Sequence, residues 1–121
     1  MSLYKINNVE LDIDMDDYEF QKKYEDAFEK LGESEKELQK VGKSSEITKG
    51  YCEIMRQLFD DIFGEGTSKK LFGEKYNIRV TNEVYEEFIR ICSEQARASR
   101  QQMHSLVNKY KPQDRKRKKG R

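Results

Sequence analysis

The amino-acid sequence predicts a mainly helical protein, three to four helices with a short N-terminal β-hairpin, α+β by strict count. Three observations carry that expectation. Apolar residues recur at helical spacing from Phe20 onward. Strict alternation of apolar and polar residues is confined to the stretch around Asn7-Asn8. The only proline, Pro112, lies beyond the last periodic segment, so nothing inside the helical region forces a break.

The hairpin is expected at about residues 4–13. Tyr4-Lys5-Ile6 and Val9-Glu10-Leu11-Asp12-Ile13 alternate on either side of an Asn pair, and Asn tolerates the positive φ that a two-residue turn demands. An isolated hairpin is marginal in water, so its apolar face must lie on helices. The acids Asp14, Asp16, Asp17 and Glu19 then mark a helix start, where carboxylates satisfy free amides and suit the dipole. Phe20, Tyr24, Ala27, Phe28 and Leu31 form one face of that helix. It ends at Gly32 or runs on through Leu38 and Val41 to Gly42. Residues 33–40 have almost no apolar face and are expected to be exposed or frayed.

The loop Gly42-Lys43-Ser44-Ser45 offers serine caps for a second helix, striped by Ile47, Tyr51, Ile54, Leu58 and Ile62 and widened by Met55, Phe59 and Phe63. This is the most apolar helix and the expected centre of the core, closed by Gly64. Thr67 to Gly73 reads as a single helical turn with a Thr cap and a Gly stop, Leu71 and Phe72 plugging it inward. Tyr76 to Val80 reads as extended or irregular. Thr81 or Asn82 would cap the last helix, which carries Val84, Phe88, Ile91, Cys92, Gln95, Ser99, Met103, Leu106 and Tyr110 on one side. Its apolar pattern weakens from Ser93 to Gln102, a zone expected to leave the core or meet a partner. Residues 1–110 are expected to make one helical domain and residues 111–121 a disordered basic tail.

Composition bounds the rest. A 121-residue chain is one domain's worth, but 39% of it is charged, against about 25% in an average domain. With a net charge of only +1, repulsion does not hold the chain open, so a compact but thin core is expected. The near-neutral total hides an asymmetry. Glu10 to Glu37 carries 12 acidic and 4 basic residues, whereas Lys111 to Arg121 carries 7 basic residues and one acid, Asp114. Such a tail could contact nucleic acid, another protein or a neighbouring copy, or merely solvate the chain. Cys52 and Cys92 each sit in an apolar-periodic stretch and read as buried thiols, pointing to a reducing, cytoplasmic setting. No apolar run approaches the roughly 18 residues needed to cross a membrane, and no signal-peptide pattern is present.

No motif announces chemistry. In Gly64-Glu65-Gly66-Thr67-Ser68-Lys69-Lys70 the order of Lys and hydroxyl is reversed from a Walker loop, no strand precedes it, and Lys69 stands where a dinucleotide fingerprint needs its third glycine. Asp16/Asp17 and Asp60/Asp61 are sequential, so on a helix their side chains diverge by about 100° rather than converging on one ion. His104 is the only histidine, and the two cysteines stand forty residues apart, so metal-ligand spacing fails. No catalytic residue, cofactor or metal is expected.

Tyr4-Lys5-Ile6-Asn7-Asn8-Val9, and above all the segment Leu58-Phe59-Asp60-Asp61-Ile62-Phe63-Gly64-Glu65-Gly66-Thr67-Ser68-Lys69-Lys70-Leu71-Phe72-Gly73, resemble small proteins of phages and prophages of Gram-positive bacteria, the tail assembly chaperones. The resemblance implies a non-enzymatic protein that acts in many copies in the host cytoplasm and binds tape-measure or tail-tube proteins. Two alternatives stay open: a structural tail connector or terminator subunit, and a nucleic-acid-binding accessory protein using Arg115, Lys116, Arg117, Lys118 and Lys119. Candidate interaction residues elsewhere are Phe72, Tyr76, Tyr85 and the Ser93–Met103 stretch, with the core a competing place for Phe72 and Tyr85.

Overall fold

A computed structural model of the chain describes residues 2–40 and 42–110. It is mainly helical, with four helices behind a two-stranded antiparallel sheet. Strand β1 (Leu3–Ile6) pairs with β2 (Val9–Asp12) in the register Leu3↔Asp12, Tyr4↔Leu11, Lys5↔Glu10 and Ile6↔Val9. The turn works as its sequence demands: Asn7 and Asn8 take φ values of 49° and 68°, the two positive φ angles that match a hairpin turn to strand twist. Alternation then points Ile6, Leu11 and Ile13 inward, all buried.

Helix α1 (Tyr18–Leu38) starts on Asp17, whose carboxylate accepts the Phe20 N–H at 2.9 Å. It passes straight through Gly32, since one glycine costs about 1 kcal/mol and no other stop signal follows. Phe20, Ala27 and Leu31 are buried, while Glu33 to Glu37 are exposed. What holds the last turn is Leu38, which lies over Gly50. A Cβ at position 50 would stand 2.5 Å from the Leu38 Cδ1, so the glycine makes room for it. Val41, where the longer version of this helix would have passed, lies outside the described residues.

Helix α2 (Ser44–Phe63) is the centre of the molecule, touching α1 and both later helices. Its serines are not caps. Lys43 holds the cap position in extended conformation and makes no side-chain bond, because the first turn is exposed and water can serve its amides. The buried face runs through Cys52, Met55, Leu58, Phe59 and Ile62, rotated from the expected stripe so that Ile47 is exposed. Gly64 then closes the helix at φ 113°, its N–H bonded to the Asp60 carbonyl.

Helix α3 (Thr67–Phe72) corrects a second cap. Gly66, at φ 93°, occupies the position expected for Thr67. The cap chemistry comes instead from α2, where Asp60 accepts both the Ser68 N–H at 2.8 Å and the Ser68 hydroxyl at 3.0 Å. Gly73 ends this helix as expected, at φ 71°.

Helix α4 (Ile78–Tyr110) begins earlier than the sequence suggests, so Ile78 to Val80 are helical rather than extended. Asn77 caps it, its side chain accepting the Val80 N–H at 3.1 Å. Neither Thr81 nor Asn82 is free for that role. Thr81 is buried with its hydroxyl 3.4 Å from the Cys52 sulfur, and Asn82 accepts the Tyr51 hydroxyl at 2.7 Å.

One hydrophobic cluster joins the hairpin to all four helices. Its centre is aromatic: Phe88, fully buried, meets Phe59 at 5.1 Å and Phe63 at 5.7 Å, both edge-to-face. Such pairs add about 0.5–1.5 kcal/mol each beyond area burial, which helps a chain so rich in charge to close a core. Among the described residues no helix is long and apolar enough to cross a membrane.

Candidate partner-binding surface

A helix of 33 residues is about 50 Å long, whereas α1 and α2, at 21 and 20 residues, reach only about 30 Å. Among the described residues, the last part of α4 therefore has no element to pack against. Val84, Phe88, Ile91 and Cys92 are buried, Gln95, Ala96 and Ser99 are half-buried, and every residue from Arg100 to Lys109 is exposed.

The point of departure is fixed by one side chain. Gln95 accepts the Met15 N–H at 2.8 Å and donates to the Ile13 carbonyl at 2.8 Å and the Tyr4 hydroxyl at 3.0 Å. An amide must turn its oxygen to an N–H and its nitrogen to a carbonyl, so these partners admit a single orientation. Gln21 completes the clamp by donating to the Met15 carbonyl at 2.6 Å, and Asn7 donates to the Leu71 carbonyl. The hairpin and the segment after it are thus tied to α4, α1 and α3 by amide side chains. Gln95 lies on the apolar stripe of the sequence, and nothing in its spacing distinguishes a clamp from a poor core residue.

Beyond that clamp, α4 and the segment around Asp14 and Asp16 form the walls of an open groove of about 660 Å³, with Tyr4 and Ala98 inside it and Leu106 and Lys109 at its far end. The exposed helix carries three large apolar side chains, Met103 at 63%, Leu106 at 54% and Val107 at 50% exposure. Scattered exposed apolar residues are ordinary, but three within five positions of one unsupported helix are a patch. The stretch from Ser93, expected to leave the core or meet a partner, does leave the core: Ser93, Glu94, Arg97 and Ala98 are exposed and Gln95, Ala96 and Ser99 half-buried. Leu106 reads in sequence as the stripe resuming after that weak zone, but it is exposed, and the buried face of α4 ends at Cys92.

The charge of the chain divides at the same place. From Gln95 to Tyr110 there is no acidic residue, whereas Arg97, Arg100 and Lys109 are basic. Residues 1–94 carry a formal charge of −8 and residues 95–121 one of +9, accounting for the total of +1. The candidates Arg115, Lys116, Arg117, Lys118 and Lys119, and the basic tail as a whole, lie outside the described residues.

The aromatic candidates separate into two places. Phe72 and Tyr76 come together around Arg56, whose guanidinium lies 5.6 Å from one ring centroid and 5.2 Å from the other. Arg56 also donates to the carbonyls of Gly73 at 2.6 Å and Lys75 at 3.1 Å, and Tyr76 donates to Glu53 at 3.1 Å. This cluster stitches the connection before α4 onto α2, so its first effect is structural. Tyr85 stands elsewhere, half-buried with its ring 6.4 Å from that of Phe28. Burial, with the nearby Glu35 carboxylate second, raises its hydroxyl pKa above the ordinary tyrosine value.

Reactive groups are spoken for. Cys52 and Cys92 are free, buried thiols, and burial pushes the Cys92 thiol up to about 12, so it carries no thiolate at neutral pH. Asp60 and Asp61 point apart, the first to Ser68 and the second to Lys30 at 3.2 Å and Gln57 at 2.8 Å. Among the described residues no three His, Cys, Asp or Glu side chains group so as to hold a metal ion.

The chain belongs to a family of unknown function, DUF6673, whose profile matches residues 7–121. No curated protein and no solved structure matches it.

Proposed function

We propose that this protein is a non-catalytic binding protein that captures a partner protein along the projecting end of α4, and that its setting is phage tail assembly in the cytoplasm of a bacterial host. The observation that carries the binding role is the unsupported helix itself: Met103, Leu106 and Val107 are exposed on a surface that no element among the described residues covers. Exposing apolar area costs about 25 cal/mol per Å², a cost that a binding site recovers when its partner arrives. The resemblance of the Leu58–Gly73 segment to tail assembly chaperones supplies the setting and the partner, a tape-measure or tail-tube protein. A connector or terminator subunit would use the same surface within a finished ring.

Co-expression tests this directly. The full chain, produced with tape-measure and tail-tube proteins encoded beside it, should copurify with one of them. Ending the chain at Arg100 should abolish the complex while leaving the urea midpoint within a small shift. Failure of the full chain to retain either protein overturns the proposal.

A second reading, nucleic-acid binding, draws on the acid-free helix end that runs into seven further cations after Tyr110. Binding through phosphates would weaken steeply with salt, the logarithm of affinity falling linearly with that of salt concentration. A gel shift at low salt that survives removal of residues 111–121 and the Arg97→Gln, Arg100→Gln pair would count against this reading.

A further inference from the structure

We infer that the projecting end of α4 is covered, before any larger partner arrives, by the same segment of a second copy of this chain, the two helices running antiparallel. The inference rests on the reading above in that it concerns the same surface, and it adds how that surface is kept while unoccupied.

Apolar geometry gives the first argument. At 100° per residue, Leu106, Met103 and Val107 fall within an arc of about 100°, wide enough for one helix to seat against another. The segment from Ala96 to Tyr110 is about 22 Å long, a short overlap that suits a weak, reversible dimer rather than a permanent one.

Charge chooses the occupant and its direction. Residues 95–110 carry +3 with no acid, and residues 1–94 carry −8. A parallel pair would lay two acid-free, basic helix ends side by side. An antiparallel pair runs each basic end back over the acidic body of the other copy, and the two-fold axis makes both contacts at once. Asp14 and Asp16 line the groove on one side of α4, Arg97 and Arg100 stand beside Met103 and Val107 on another, and none of these four makes an ion pair among the described residues. Both signs of charge thus border the projecting helix, and a second copy offers each its opposite.

Sedimentation velocity on the full chain tests the inference. A dimer is expected at about 50 mM salt, shifting toward monomer at about 500 mM as the charges are screened. Met103→Glu with Leu106→Glu should raise the dimer dissociation constant by roughly tenfold or more. The circular dichroism should stay helical, because both side chains are exposed. Direction is read by disulfide trapping. Met103 lies midway between Ser99 and Val107, so chains carrying Ser99→Cys should link to chains carrying Val107→Cys, in preference to Val107→Cys chains linking to each other. The native Cys52 and Cys92 are buried and do not compete.

A monomer at low salt overturns the inference, as does a dimer indifferent to the two glutamates or one in which Val107→Cys chains link to themselves. A monomer that still copurifies with a tail protein removes the dimer alone. A dimer that captures no tail protein removes the proposed function alone.

Discussion

From Ile78 to Gln95, helix α4 is held by what it buries: Val84, Phe88, Ile91 and Cys92 all lie in the core. From Ala96 to Lys109 it buries almost nothing, and on to Tyr110 it is helical by composition, with Ala, Arg, Gln, Met, Leu and Lys at most positions and neither Gly nor Pro. A 15-residue helix alone is marginal in water, but this one inherits a finished nucleus from the packed half and needs only to propagate. One helix thus serves two purposes. The packed half is where substitution costs stability, and the projecting half is where it should cost binding.

The sharpest way to break that contrast is Phe88→Ala. It empties the aromatic centre and should cost about 3–5 kcal/mol in urea unfolding, enough to threaten the fold. An effect under about 1 kcal/mol would mean that the packed half is not the anchor.

Alkaline pH should act on the packed half next. Cys92, Tyr24, Tyr51 and Tyr85 all have folded pKa values raised by burial. The sign follows from proton counts: above the unfolded values, the unfolded chain releases protons that the folded chain retains. Stability is therefore whole below about pH 9 and falls as pH rises toward 12, by about 1.4 kcal/mol per pH unit for Cys92 alone. A flat urea midpoint from pH 8 to 11 would contradict the burial of that thiol.

Gln95→Leu probes the boundary between the halves. It strands the Met15 N–H and the Ile13 carbonyl, at a cost of about 1–3 kcal/mol. Hydrogen exchange should quicken at Met15 before it quickens in α2. Asp17→Ala, which removes only the α1 cap, should cost about 1 kcal/mol. At the bottom of the scale, Met103→Ala and Leu106→Ala should move the urea midpoint by less than about 0.5 kcal/mol equivalent. A larger loss at low protein concentration would place those side chains in the core after all.

What the sequence made legible was local. An Asn pair between alternating strands specified a turn, the spacing from Phe20 to Leu31 specified a face, and Gly64 and Gly73 marked stops. What it hid was decided elsewhere in the chain. Asn77 takes the cap because Thr81 and Asn82 are engaged by Cys52 and Tyr51, some thirty residues away. Asp60 caps α3 from a different helix. The candidate site followed the same rule: Phe72 and Tyr76 do gather, but around Arg56, which no pattern singles out. The end of the core on α4 did show, in an apolar pattern that weakens after Cys92; that Met103 and Leu106 stay exposed did not, because it depends on how long α1 and α2 are.

The Gln95 clamp bears also on the order in which the molecule is made. Its partners at Met15 and Ile13 stand 80 and 82 residues earlier, and Tyr4 stands 91 earlier. During synthesis the hairpin leaves the ribosome at least 80 residues ahead of its fastenings on α4. It must wait, unsecured, until α4 has emerged. Closing so large a loop is slow beside the winding of any one helix, so docking of the N-terminus is expected to be the late step of folding.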